Sequence, residues 1–139
     1  MMTILKQLRE SSSFSPEQLA AIAGLNIDWY RDLENDEGEL TSNVSLGSIV
    51  RVAKALGVKP STLFGEQSTG IVSLERLATL VRERVKSSGK SLPDFEAEIG
   101  WGVAAALNDS AAFREFNVDG LRAYCEAVDV AWCEVLDGL

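Results

Sequence analysis

The chain has 139 residues, 46% of them hydrophobic, with 13 Lys and Arg against 21 Asp and Glu, a net charge of −8 and no histidine. That length holds one ordinary domain or two very small ones, and the composition excludes a disordered or low-complexity chain. The acidic balance argues against a broad basic nucleic-acid surface, and the lack of histidine removes the usual general base at neutral pH.

No window approaches the roughly 18 consecutive apolar residues that a membrane-spanning helix needs. The start, MMTILKQLRE, has no basic region followed by an apolar run, so a secretory signal is not expected and a cytoplasmic protein is. Cys125 and Cys133 lack histidines or a second cysteine pair beside them, so they read as reduced core thiols and not as a metal site. No phosphate loop or nucleophile elbow is present, so neither an enzyme nor a cofactor is expected.

In chain order, Ile4 to Glu10 reads as a helix capped by Thr3, followed by a serine-rich turn. Ser15 caps a second helix that opens at Pro16, with Gln18 completing a capping box and Gly24 ending it. Asn26 caps a third helix from Ile27 to about Asn35. Residues 36–42, DEGELTS, read as an acidic loop. Ser45 to Leu56 is a helix with Leu46, Ile49, Val50, Ala53 and Leu56 on one stripe, and Pro60 opens a short one. Residues 65–70, GEQSTG, read as a linker between two bundles with separate cores.

Between Pro16 and Leu33 the apolar residues fall at particular positions. Leu19, Ala23, Leu25, Tyr30 and Leu33 turn one face of each helix into a shared core, while small Ala20 lets the backbones approach. With these flanks, residues 3–66 closely resemble the lambda-repressor-like (Cro or XRE type) helix-turn-helix domain. The resemblance implies a compact bundle of five helices whose third helix lies in the major groove of an operator.

The second half repeats this pattern. SLPDFEAEIG matches SPEQLAAIAG, pairing Ser15 with Ser91 and Gly24 with Gly100 at an offset of 76. Further on, Ile49 pairs with Leu121, Ala55 with Ala127 and Val58 with Val130 at an offset of 72, so the second copy is shorter between Gly100 and Phe116. The expected fold is all-α, two tandem five-helix lambda-repressor-like bundles: residues 1–66, a linker at 67–72, and a degenerate copy at 73–139.

The outward set on the third helix is Asn26, Ile27, Asp28, Trp29, Arg31 and Asp32. Asn and Arg pair with adenine and guanine in the major groove, while Asp only accepts from cytosine. Nearby phosphate-contact candidates are Lys6, Arg9, Thr41, Ser42 and Asn43, and Pro16 has no N–H to offer the DNA backbone. In the second copy, WGVAAALND carries no cation, Glu96 stands at the small-residue position, and Trp101 suits close helix packing. Basic residues on its leading helix, Arg76, Arg82, Arg84, Lys86 and Lys90, interleave with Glu75 and Glu83 as on a solvated face.

Two functions follow. In the first, the resemblance implies a dimeric DNA-binding transcriptional regulator acting on a double-stranded operator. In the second, the same fold turns its third helix to a basic protein partner, as an antitoxin, immunity factor or inhibitor would. There Ile27 and Trp29 form an apolar centre and Asp28 and Asp32 an acidic rim.

Overall fold

The structure, a computed structural model, describes residues 2–139. It is all-helical, and no strand occurs among the described residues. Helices α1 (Ile4–Glu10), α2 (Pro16–Ala23), α3 (Ile27–Asn35), α4 (Glu37–Ser42) and α5 (Leu46–Leu56) precede a 3-10 helix, Pro60–Phe64. After the irregular stretch 65–73 come α6 (Leu74–Ser88), α7 (Leu92–Ile99), α8 (Ala104–Asn108), a second 3-10 helix, Ser110–Glu115, then α9 (Val118–Ala127) and α10 (Trp132–Leu136). No described helix is long and apolar enough to cross a membrane.

Local chemistry accounts for most helix boundaries. Ser15 accepts from the Gln18 N–H while the Gln18 side chain accepts from the Ser15 N–H, so both orphan donors at the start of α2 are satisfied. Gly24 closes α2 in the left-handed region at φ 75°, and Leu25 N–H reaches back to the Ala20 carbonyl. Those two residues set the sharp turn into α3.

Residues 36–42 are not the expected loop. Asp36 caps α4 through the Gly38 N–H at 2.8 Å, Glu37 and Glu39 sit in the first turn where the helix dipole favours them, and Leu40 is buried. An acidic stretch with one apolar anchor becomes a helix once that anchor has a core to enter.

That core is continuous across the chain, in place of the separate cores expected. Leu5, Leu19, Tyr30 and Leu46 from the first half join Leu77, Phe113, Leu121 and Tyr124 from the second in one cluster. Polar bonds reinforce the junction. Leu46 N–H donates to the Phe116 carbonyl at 2.8 Å, and Asn117 Nδ2 to the Ser42 carbonyl at 2.8 Å. Phe64 and Trp132 meet edge to face with centroids 5.4 Å apart. Small bundles bury too little surface alone, so the apolar faces that a separate bundle would expose are spent on the neighbour.

Burial makes this core sensitive to base. Burial, with Glu34 beside it, raises the Tyr30 phenol well above its ordinary value, and burial next to Glu96 pushes Tyr124 up to about 12. Burial and the neighbouring Cys133 push the Cys125 thiol up to about 12. Each group holds its proton more tightly when folded, so its contribution is complete below the unfolded pKa, 9.0 for the thiol and 10.0 for the phenols, and is lost as pH rises through the folded values. Because both tyrosines of the chain are buried, phenolate absorbance in an alkaline titration is expected to rise together with loss of helical circular dichroism. Phenolate forming at the ordinary pH with helix intact would contradict this.

Candidate functional site

The outward face of α3 is set by what the inward face must bury. Tyr30 and Leu33 point into the core, and Glu34, four residues after Tyr30, goes in with them at 5% exposed. Arg9 at the end of α1 meets that carboxylate with two donors, Nε to Oε1 and Nη2 to Oε2. Glu34 in turn raises the Arg9 pKa further, chiefly by hydrogen bonding. The buried Tyr30 hydroxyl lies near the pair and makes no hydrogen bond among the described residues. Arg9, expected to reach phosphates, is therefore held inside the α1–α3 contact.

The other phosphate-contact candidates are also engaged internally, apart from Lys6, which is half-buried and makes no ion pair among the described residues. Thr41 and Ser42 hydroxyls both donate to the Gly38 carbonyl, at 3.0 and 2.8 Å. Asn43 Nδ2 donates to Glu39 Oε2 at 2.7 Å. These bonds brace α4 at the surface and occupy the donors of Thr41, Ser42 and Asn43 within the helix.

On α3 itself, Asn26 Oδ1 accepts from the Trp29 N–H at 2.8 Å and so serves as the cap. Ile27 is half-buried against the core cluster. Asp28, Arg31 and Asp32 are exposed. Arg31 is the one cation of α3, and its Nη2 lies 3.3 Å from Glu17 Oε1 on α2. With both side chains more than half exposed, such a pair is worth under about 1 kcal/mol and restrains Arg31 weakly. The balance of charge matters more: Asp28 and Asp32 flank Arg31 with no cation of their own.

Trp29 is 37% exposed, and its indole Nε1 donates to the Asn43 carbonyl at 3.0 Å. One edge of the ring is thus tied down, and about a third of the residue stays open to solvent. Trp29 lines a shallow groove of about 260 Å³ together with Val44, Trp101, Glu115 and Asn117, so the second half of the chain supplies part of this surface.

Several residues that shape the site were not singled out from the sequence. Arg51 on α5 donates through Nε to the Ile22 carbonyl at 3.1 Å and through Nη2 to Ala23 at 3.0 Å, and buried Ser48 adds its hydroxyl to Ala23 at 2.7 Å. Together they satisfy the orphan carbonyls at the end of α2 and lock the turn. Glu34 had a legible signal, a carboxylate in step with Tyr30; Arg51 and Asn117 had none, because their partners lie far along the chain, and Glu115 had none, because only the packing of the halves brings it beside Trp29.

In the second half, Glu96 finds a use for its size. Its Oε2 accepts from the Val103 N–H at 2.5 Å and the Ala104 N–H at 3.2 Å, bracing the entry to a five-residue α8. Trp101 packs on Gly120 so closely that a Cβ there would meet the indole at 2.7 Å. Of the basic residues on and after α6, Arg84 pairs with Asp129 and Lys90 with Glu98. No cluster of three or more metal-ligating side chains occurs among the described residues. No protein-family model, curated protein or solved structure matches the chain.

Proposed function

We propose that this chain is an acidic protein-binding module built on tandem lambda-repressor-like helix-turn-helix bundles, with α3 facing a basic protein partner. The observation that carries it is Trp29, a part-exposed indole on a helix whose outward charges are Asp28, Asp32 and an Arg31 already facing Glu17. A groove-reading helix needs donors and cations towards two phosphate strands; an aromatic centre with a carboxylate rim matches a protein hot spot.

The tandem reading draws support from matched geometry. α2 and α7 have the same length at the offset of 76, and the 3-10 helix Pro60–Phe64 and α10 stand 72 residues apart. Gly57 and Asp129, also 72 apart, both take the left-handed conformation, at φ 71° and 58°. After each, the next N–H reaches the carbonyl five residues back, Val58 to Ala53 and Val130 to Cys125.

Partner capture by Trp29→Ala and Asp32→Asn variants tests the function. Trp29→Ala is expected to weaken binding on the order of 2 kcal/mol with helical content unchanged, and Asp32→Asn to reduce mainly the salt dependence of association. The DNA reading makes the opposite demand. Operator binding that falls by roughly one unit of log-log salt slope per neutralised phosphate, and is lost in Arg31→Ala but kept in Trp29→Ala, would replace the protein reading.

A further inference from the structure

Resting on the reading that α3 faces a protein, we infer that the groove between Trp29 and Trp101 receives an arginine side chain of that partner, with Glu115 as its counter-charge. The groove is built by both halves and is held rigid before anything binds. Trp29 is fixed through Asn43, and Trp101 is wedged on Gly120 with its ring centroid 5.7 Å from that of Phe116. Asn117 donates to the Ser42 carbonyl and ties the two walls together. A preformed site loses little entropy on binding.

Its chemistry selects a cation. Two indoles line it, Glu115 is exposed and makes no ion pair or side-chain hydrogen bond among the described residues, and none of the described lysines or arginines lines the groove. Arg114, next in sequence, lines a different groove with Glu75. The molecule contains a filled counterpart. At Trp132, Arg122 lies with its guanidinium carbon 5.4 Å from the ring centroid, in a groove it shares with Glu37 and Glu66. There an indole flanked by carboxylates already holds an intramolecular arginine; at Trp29 the same combination holds none among the described residues. A guanidinium fits better than an ammonium because its plane stacks on an indole while its N–H groups reach a carboxylate.

The test follows the three indole N–H signals by NMR while N-acetyl-arginine methylamide is added to the full chain, with the lysine and glutamate analogues as comparisons. Trp29 and Trp101 are expected to shift saturably with the arginine probe, less with lysine and not with glutamate, while Trp132, already covered by Arg122, stays in place. Glu115→Gln is expected to weaken the arginine probe about two- to fivefold, and Glu126→Gln, which changes the net charge equally from an exposed position on α9, to leave it unchanged. Equal shifts at all three indoles, silence of Trp29 and Trp101, or equal weakening by both variants overturns the inference. If Trp29 alone responds and Glu115→Gln binds as the parent does, the groove is wrong and the protein-facing α3 stands. Indoles that ignore arginine but shift with a DNA duplex remove both.

Discussion

Arg9→Met is expected to lower the unfolding free energy by about 2–4 kcal/mol, measured by urea denaturation, and Arg9→Met/Glu34→Leu to regain most of that loss. The single variant strands the Glu34 carboxylate, 5% exposed, without its guanidinium. Removing one partner of a buried pair commonly costs about 3–5 kcal/mol; Arg9 keeps 13% of its side chain in contact with water, which lowers the expected loss to about 2–4 kcal/mol. Replacing both partners removes the desolvation cost along with the attraction, which is why the double variant is the informative one. A single variant as stable as the parent would mean that Glu34 finds water or another donor, and that α1 is not clamped to α3 by this pair. Were Arg9 instead a phosphate contact, its loss would weaken operator binding and leave stability nearly unchanged.

Asp137→Ala is expected to cost about 3 kcal/mol and to shift one unfolding transition of the whole chain, observed by calorimetry. Asp137 Oδ1 accepts from the Ser61 N–H at 2.8 Å, and Oδ2 accepts from the Ser61 hydroxyl at 2.6 Å. Ser61 is fully buried at the start of the 3-10 helix Pro60–Phe64, where Lys59 supplies no side-chain cap. A carboxylate from the far end of the chain thus caps a helix of the first half, and its removal orphans two buried donors. Asp137→Asn, which keeps one acceptor, is expected to fall between. Independent halves would show two transitions, of which the Asp137 change moves only one; that outcome would undo the claim of a continuous core acting as a cooperative unit.

The two expectations bear on function through the same geometry. Clamping α3 from below by Arg9–Glu34 fixes which of its residues face out, and joining the halves brings Trp101 and Glu115 beside Trp29. An interface assembled from rigid parts binds with little reorganisation, so loss of either clamp should blunt partner binding even where no contact residue changes.

What the amino-acid sequence by itself determined is the local grammar of the chain. Caps and left-handed turns are chemistry between residues three to five apart, so Ser15 with Gln18, Asn26 before α3, and Gly24, Gly57 and Gly100 at helix ends were all legible, as was the all-helical class. Tertiary structure alone decided the rest. Whether DEGELTS coils or winds into α4 depended on a pocket for Leu40, and whether Arg9 reached outward depended on a carboxylate 25 residues away. The groove at Trp29 depended on residues more than 70 positions further on. Long-range partners are chosen by how apolar faces pack together, and that packing follows no fixed spacing along the chain. The sequence therefore placed Trp29 in the outward set of α3, and the packing of one half on the other turned its surroundings into a groove.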